Sequence, residues 1–508
     1  MRRGQVIELK IEEMRFPAVG VGYFEGKKVK VKNAIKGQLI EARIKKNRSD
    51  YAEAGLVQVL EPSTSEVASF CPHFGRCGGC ARQTVPYDEQ VAMKTEMVRS
   101  IIEESGFEAF EFETPIKSPE IYHYRNKMEY SFGDEEKNGP LQLGMHKKGR
   151  FHDVVTVDQC MLVDEDFNTI LRATLDYFVE AGTLRYNKNT MEGFLRHFTI
   201  RKSQNTGEIL LGLSASTQGS VDLTAFVERL LSLTIKGQIV GILWIKNDGI
   251  ADVVQGEIEV LYGREYYMET LMGLDFKVSF FSFFQTNPEG AELLYQKVID
   301  YTGATEGKEV FDLFSGTGTI GQIMAGSAKR VIGVEIVEDA VRAANENAEL
   351  NKLENCNFIA GDVFKVLDEL DHTPEVIVVD PPRAGIQEKA LMKILGYGVP
   401  QITYVSCNPK SLGDNLITAR KNGYTIERVC CVDMFPHTPH IETVVKLIKV
   451  DTETVDAYAE PVVEDKDAET KASERRAEQL KKNRDLLDQD TDSDLAKLLA
   501  EIAAKNNA

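Results

Sequence analysis

The sequence predicts an α/β protein, with a doubly wound parallel sheet in its C-terminal half preceded by a small β-barrel and a β-rich middle domain. Three observations predict it. From about residue 280 to 406, segments of strand and helix length alternate, the rhythm of right-handed β-α-β crossovers. Residues 4–60 hold short strand-like runs separated by glycine-containing turns, the pattern of a small antiparallel barrel. Between the two, strands and helices mix without a clean repeat.

The barrel runs are GQVIELKI, AVGVGYFEG, KKVKVKNA, GQLIEARIKK and YAEAGLVQVLEP, which place this domain at residues 1–62. Residues 63–110 hold a Pro/Ser/Thr linker, the segment CPHFGRCGGC, and a helical stretch, PYDEQVAMKTEMVRSIIEESG, that closes on Gly106. The middle domain, 111–275, contains YRNKMEYSFG, LQLGMHKKGRFHDVV and LRHFTIRKS. In 276–450 the helix PEGAELLYQKVIDYTG leads to strand KEVFDLF, a Gly-rich turn, helix IGQIMAGSA and strand RVIGVEI. Helix EDAVRAANENAELN follows, then strands NCNFIAGD, EVIVVD and QITYVSC. Residues 451–508 are charged and poor in apolar residues, the composition of a disordered tail, although LAKLLAEIAA has the spacing of a short helix.

Bulk composition narrows the function. At 508 residues the chain is too long for one core and suggests three or four domains. No apolar run approaches the roughly 18 residues of a membrane span. The opening MRRGQVIELKIEE turns charged too early for a signal-peptide core, so a cytoplasmic protein is expected. The net charge of −19 argues against a bulk polyanion binder. Residues 1–70, however, carry 13 Lys and Arg against 9 Asp and Glu, whereas 451–508 carry 9 against 16. A nucleic-acid role must therefore use a local basic surface such as KKVKVK (27–32) or RIKKNR (43–48). Solvated strand edges account for the same charges equally well.

The turn DLFSGTGTIG (312–321) contains a G-x-G-x-x-G pattern, and Glu335 stands at the end of the next strand. Glycines let backbone approach a ligand closely, and the carboxylate can accept both ribose hydroxyls. NAD and S-adenosylmethionine both fit. Asp312 favours the second, because a carboxylate entering the turn repels a pyrophosphate and attracts an ammonium group. A further acid, Asp362, follows the third strand, and DPPRAG (380–385) follows the fourth, where the reactive centre of such a sheet lies. Cys407, in YVSCNPKSL, ends the next strand and should open on the same crevice. Glu442 starts the last strand, in DMFPHTPHIETVVKL. A thiol and a carboxylate beside a methyl donor suit methylation of uracil at carbon 5. Thiolate addition to carbon 6 makes carbon 5 nucleophilic, and a base must then remove the carbon-5 proton.

DLFSGTG, DPPRAG, SCNP and HIETV, in this order, resemble the RNA 5-methyluridine methyltransferase family (the RumA/TrmA group). The N-terminal runs resemble its OB-like TRAM barrel, CPHFGRCGGC its iron–sulfur motif, and the likeness spans roughly residues 4–450. It implies a Rossmann-like methyltransferase domain, S-adenosylmethionine as cofactor, Cys407 as nucleophile and Glu442 as proton acceptor. FFQTN (283–287) resembles the family's FFQ-x-N, which makes Gln285 a cofactor contact with Phe314, Glu335 and Asp380; read on composition alone, SFFSFFQ is a buried strand. Ser315 stands where many relatives have Cys and Thr319 where several have Asn, and the acidic tail has no counterpart in the pattern.

The spacing C-x5-C-x2-C is not the paired spacing usual for structural zinc. Three clustered thiols, Cys71, Cys77 and Cys80, with one remote partner suit a 4Fe–4S cluster. The resemblance supplies Cys160 as that partner. Cys356, Cys430 and Cys431 lie in apolar strand contexts and are expected in the core. RNA is the expected partner of a monomer, with its target uridine unpaired or flipped out. Aromatic and basic residues in YHYRNKMEY and FLRHFTIRK are candidate RNA contacts, though most of those aromatics are expected in the core. Barrel plus cluster resembles the 23S rRNA enzymes of the family more than its compact tRNA enzymes. The alternatives are the same chemistry on tRNA, a non-catalytic RNA-binding scaffold, and an NAD-dependent oxidoreductase using the cluster.

Overall fold

The computed structural model describes residues 1–150, 152–219, 221–370 and 373–450; the expected disorder and short helix of the tail lie outside them. Alternation of apolar and polar residues builds the first sheet, as in β1 (Val6–Lys10), where every second side chain is buried. It continues with β2 (Glu13–Arg15), β3 (Val19–Phe24), β4 (Lys27–Lys32), β5 (Leu39–Asn47) and β6 (Tyr51–Glu61). The order β1-β5-β6-β4-β3-β2 curls around Leu9, Val29, Val31, Ile40 and Ile44. One expectation is corrected here. The sheet is not wholly antiparallel, because β4 pairs in parallel with β6 across the intervening β5.

Helix α1 (Tyr87–Glu104) ends where Gly106 takes a positive φ, as its sequence predicts. β7 (Glu111–Phe112) leaves the middle region and joins the edge of the C-terminal sheet. The middle sheet comprises β8 (Lys127–Asp134), β9 (Leu141–His146), β10 (Val154–Thr156), β11 (Leu195–Lys202), β12 (Glu208–Ala215), β13 (Gln238–Lys246) and β14 (Glu257–Gly263). Helices α2 (Glu165–Glu180) and α3 (Leu223–Leu231) cover it through a shared core that includes Phe178, Phe198 and Phe226. The hairpin β15 (Tyr266–Leu271) and β16 (Leu274–Ser279) then leads into the last region.

That region starts with α4 (Pro288–Thr302), capped by Asn287, whose side chain accepts from the Gly290 N–H, with proline in its first turn. There follow β17 (Glu309–Leu313), α5 (Thr319–Ala325), β18 (Arg330–Glu335), α6 (Glu338–Leu350), β19 (Cys356–Ala360), α7 (Val363–Glu369), β20 (Val376–Val379), α8 (Glu388–Gly396), β21 (Gln401–Ser406), α9 (Pro409–Lys421), β22 (Tyr424–Val432) and β23 (Glu442–Lys449). The sheet order is β19-β18-β17-β20-β21-β23-β22-β7. Strands β17 to β21 are parallel, which bears out the doubly wound α/β fold. The sheet is nevertheless mixed. β22 and β23 form a hairpin that inserts β23 antiparallel against β21, a topology that no crossover periodicity reveals. Two apolar cores, around Ile377 and Leu416 on one side and Leu294 and Val378 on the other, secure the helices. Among the described residues, no helix is long and apolar enough to cross a membrane.

Candidate active site

Strand order reverses between β17 and β20, and a cavity of about 1510 Å³ opens at their C-terminal ends. Its lining includes Gln285, Phe314, Glu335, Asp380, Cys407 and Glu442. Residues separated by more than 150 positions in the chain thus share one space.

Each arrives there for a local reason. Phe314 takes a left-handed backbone, φ 64, at the turn out of β17, anchored by its N–H to the Val334 carbonyl at 2.9 Å. Such strain at a non-glycine residue costs on the order of 1 kcal/mol and marks functional turns. Gly316 and Gly318 continue the turn at φ 54 and 73. At Gly318 a Cβ would meet the Phe358 ring at 2.4 Å, so no larger residue fits. Glu335 Oε2 accepts from the Gly316 N–H at 3.0 Å, holding the carboxylate against the turn. Cys407 directly precedes Asn408, which caps α9 with proline behind it. FFQTNP and SCNP therefore share one device, an Asn–Pro helix start that fixes the residues just before it.

The buried polar atoms indicate what the cavity accommodates. Asp312 is fully buried; its Oδ2 accepts from the Gly321 N–H at 2.8 Å, while its Oδ1 and the Ser315 hydroxyl have no partner. Unpaired buried acceptors of this kind are costly unless a ligand satisfies them. Burial raises Asp312 to about 7, with Asp380 and Glu335 adding to the effect, and burial alone raises Asp380 to about 7. Glu442 is raised to about 8 by burial and by Asp380. Burial, then Glu442 and Asp380, raise the Cys407 thiol to about 11, with Arg383 opposing. A cationic ligand beside Asp312 and Asp380 favours their ionised forms. The donor set therefore fits S-adenosylmethionine, which carries an ammonium and a sulfonium. Asp362 also reaches the cavity, but one of its oxygens caps α7 by accepting from Phe364 N–H at 2.9 Å.

The structure adds residues that sequence reasoning missed. SFFSFFQ leaves the strand after Ser279, the last residue of β16: Phe280 and Phe284 are buried, but Phe283 is 67% exposed on the cavity lining. Tyr295 of α4 hydrogen-bonds Gln285 and lies near Asp380, Glu442 and Asp312. His440, Arg383 and Arg125 line the same space, and burial followed by Arg383 lowers His440 to about 4, keeping it neutral. Phe435 and Thr438 complete this wall. Arg383 was visible in DPPRAG, His440 in HIETV and Arg125 in YHYRNKMEY, although none was singled out as lining the cavity.

Some candidate RNA contacts are internal. In β11, Arg196 and Arg201 are buried and donate to main-chain carbonyls, Arg201 to Ser279, Phe280 and Ser282. In the barrel, Lys28 pairs with Glu13, Lys46 pairs with Glu53, and Lys30 lies over the Tyr51 ring at 4.0 Å.

Cys71, Cys77, Cys80 and Cys160 come together from two loops. Burial raises Cys80 to about 12, and the other three thiols each contribute. The two loops are joined by the Gln159 N–H donating to His73 Nε2 at 3.1 Å, and the first is tied to β9 by the Gly78 N–H donating to the His146 carbonyl at 2.9 Å. Arg82, two residues on, is buried with neither terminal guanidinium nitrogen hydrogen-bonded, a fixed positive charge suited to an anionic group. No set of three or more His, Cys, Asp or Glu side chains among the described residues stands in metal-holding geometry. Cys430 and Cys431 are buried in β22, and Cys356 packs half-buried against the core at the start of β19.

Comparison with known proteins agrees with this picture. Residues 257–450 match the tRNA (uracil-5-)-methyltransferase family model, and residues 1–57 match the TRAM domain. An uncharacterized RNA methyltransferase of Clostridium tetani is 48% identical over 454 residues, covering 89% of this chain and 99% of that protein. One of Caldanaerobacter subterraneus subsp. tengcongensis is 47% identical, covering 87% and 99%. Among solved structures, the Pyrococcus abyssi tRNA (uracil-54, C5)-methyltransferase in complex with S-adenosyl-L-homocysteine superposes with a TM-score of 0.69. It is 25% identical and covers 87% of this chain and all of that one.

Proposed function

The chain belongs to the RNA 5-methyluridine methyltransferase family, and on that premise we propose that Cys407 and Glu442 carry out S-adenosylmethionine-dependent methylation of a uridine at carbon 5. The observation that carries the assignment is their shared cavity with the Gly-rich turn. Cys407 loses its thiol proton to solvent and adds as the thiolate to carbon 6 of the uracil, and the carbon 5–carbon 6 π electrons move toward carbon 5 and the carbonyl oxygen at position 4. Bound S-adenosylmethionine supplies the electrophilic methyl group that carbon 5 takes. Glu442 then removes the carbon-5 proton; those electrons restore the ring double bond and expel the thiolate. Asp312, Glu335, Asp380, Gln285 and Phe314 hold the donor, and the cationic donor offsets the raised carboxyls around it.

The target is RNA, and the present balance favours tRNA. The solved relative that acts on tRNA uridine 54 covers 87% of this chain, so it extends beyond the methyltransferase region. The barrel therefore does not distinguish an rRNA enzyme, which removes one of the two grounds for expecting 23S rRNA. The four-cysteine set remains the ground for that second reading. Tritiated methyl transfer to purified tRNA and to purified 23S rRNA, with the product base identified by mass, tests both. Methylation of neither at uracil carbon 5 overturns the assignment.

Cys71, Cys77, Cys80 and Cys160 are the residues that would hold a 4Fe–4S cluster, with Arg82 as its counter-charge. Methyl transfer is polar and needs no electron. The group would serve as a clip between the 71–80 loop and the middle sheet.

A further inference from the structure

The loop joining β22 to β23 is braced from elements hundreds of residues away. Lys94 of α1 places its ammonium 2.7 Å from Asp433 Oδ1, with the two side chains 2% and 0% exposed, and donates to the Phe435 carbonyl at 3.0 Å. One turn earlier, Gln90 uses both ends of its amide. Its Oε1 accepts from the His437 N–H at 2.9 Å, and its Nε2 meets His437 Nδ1 at 3.1 Å. The N–H groups of Ala81 and Arg82 donate to the His437 carbonyl at 2.9 and 3.0 Å. Tyr122 stacks on the His437 ring at 4.7 Å, and the Tyr124 hydroxyl donates to the Pro436 carbonyl at 3.0 Å. His437 itself is held at φ 65, a left-handed backbone that a non-glycine residue keeps only where its surroundings over-determine it.

The fold does not require this bracing. β22 and β23 are paired along their whole length, and the loop merely connects them. A fully buried ion pair is also a poor source of stability, because desolvation offsets its attraction. What the bracing does fix is the face that the loop turns to the cavity: Phe435, Thr438 and His440, in the same space as Cys407 and Glu442. None of these three belongs to the turn that would hold the methyl donor.

We propose that Gln90 and Lys94 are positioning residues for the target uridine, fixing residues 433–440 as the wall that holds the base over Cys407 and Glu442. The inference rests on the uracil-methylation reading above. Misplacement of a reacting atom by about 1 Å costs on the order of a hundredfold in rate, so a rigid wall is worth its bracing.

The test uses the full-length protein and RNA carrying 5-fluorouridine, on which the proposed adduct cannot eliminate. Gln90→Met removes both contacts to His437, together with the Nε2 bond to the Val85 carbonyl at 2.8 Å, without leaving a charge unpaired, and Gln90→Glu keeps the acceptor for the His437 N–H. Lys94→Met combined with Asp433→Asn removes the ion pair from both sides. Gln90→Met and the double variant should form the adduct at least about tenfold more slowly than the parent, with S-adenosylhomocysteine affinity by calorimetry unchanged within about twofold. Gln90→Glu should recover most of the rate. Parent-like adduct formation in Gln90→Met and the double variant overturns the inference, as does a loss of S-adenosylhomocysteine affinity in step with adduct rate, which indicates general structural damage. If the parent itself forms no adduct, the fault lies with the methylation reading.

Discussion

Cys407 and Glu442 flank the end of the ladder between β21 and β23: its last pair is Ser406 with Thr443, Cys407 follows Ser406, and Glu442 precedes Thr443. Both side chains line the cavity. That adjacency explains why Glu442 follows burial as a cause of the raised Cys407 thiol.

Cys407→Ala should abolish methylation and the covalent adduct while leaving S-adenosylhomocysteine affinity at the parent value. The proposed nucleophile acts on the uracil, whereas the proposed cofactor half of the cavity is built from β17, β18 and β20. Calorimetry and gel retardation on 5-fluorouridine RNA read the two properties separately.

Glu442→Gln should slow turnover by about 10²-fold or more and accumulate protein bound covalently to methylated RNA, since methyl transfer precedes proton removal. The parent's kcat/KM should rise as pH climbs toward and past about 8, where the Glu442 carboxyl gives up its proton in the free enzyme. A pH profile of kcat/KM checks the sign. Normal turnover by Glu442→Gln would remove it as the base.

Binding of S-adenosylmethionine should release protons near neutral pH. Asp312 and Asp380 titrate at about 7 in the free protein, and a neighbouring cation favours their ionised form. S-adenosylhomocysteine lacks the sulfonium charge and should release fewer. Calorimetry in buffers of different ionisation heat measures the difference, and Asp312→Asn should reduce it.

Stability of the ligand-free protein should carry the same signature. Asp312, Asp380 and Glu442 keep their protons in the folded state up to about 7 to 8, whereas the unfolded chain loses them near 4. Their contribution is full below about pH 4 and is lost as pH rises through the folded-state values. Glu442→Gln should therefore be more thermostable than the parent at pH 8.5, by a few degrees in Tm. The two should converge below about pH 4.

If the four thiols hold a cluster, anaerobically purified protein should contain about four irons per chain and absorb near 400 nm, with both signals lost in Cys160→Ala. Arg82→Met should retain less iron than the parent. Because Ala81 and Arg82 also brace His437, loss of iron should slow adduct formation without weakening S-adenosylhomocysteine binding.

The cavity was legible in sequence where function sits at strand ends. Cys407, Asp380, Glu335 and Phe314 each terminate or follow a strand of a repeating β-α unit, and such ends converge by topology. Phe283 was not legible, because an apolar run reads as buried whether it becomes a strand or a cavity lining. The 433–440 wall was not legible either. Its partners Gln90 and Lys94 are ordinary helix residues more than 300 positions away, and nothing in their own neighbourhood marks them. In the barrel, the parallel β4–β6 pairing escaped a reading in which glycine turns imply hairpins.

The β22–β23 hairpin divides the site into a part that cannot drift and a part that can. Cys407 and Glu442, the proposed nucleophile and base, flank the end of the β21–β23 ladder, and a ladder shifts only by whole residues, each single slip turning a side chain to the opposite face. Insertions or exchanges between Asp433 and Ile441 leave that spacing untouched while remodelling what the uridine rests against. Descendants of such a protein can therefore change the RNA they address by altering one loop and its braces, with the reaction itself inherited intact.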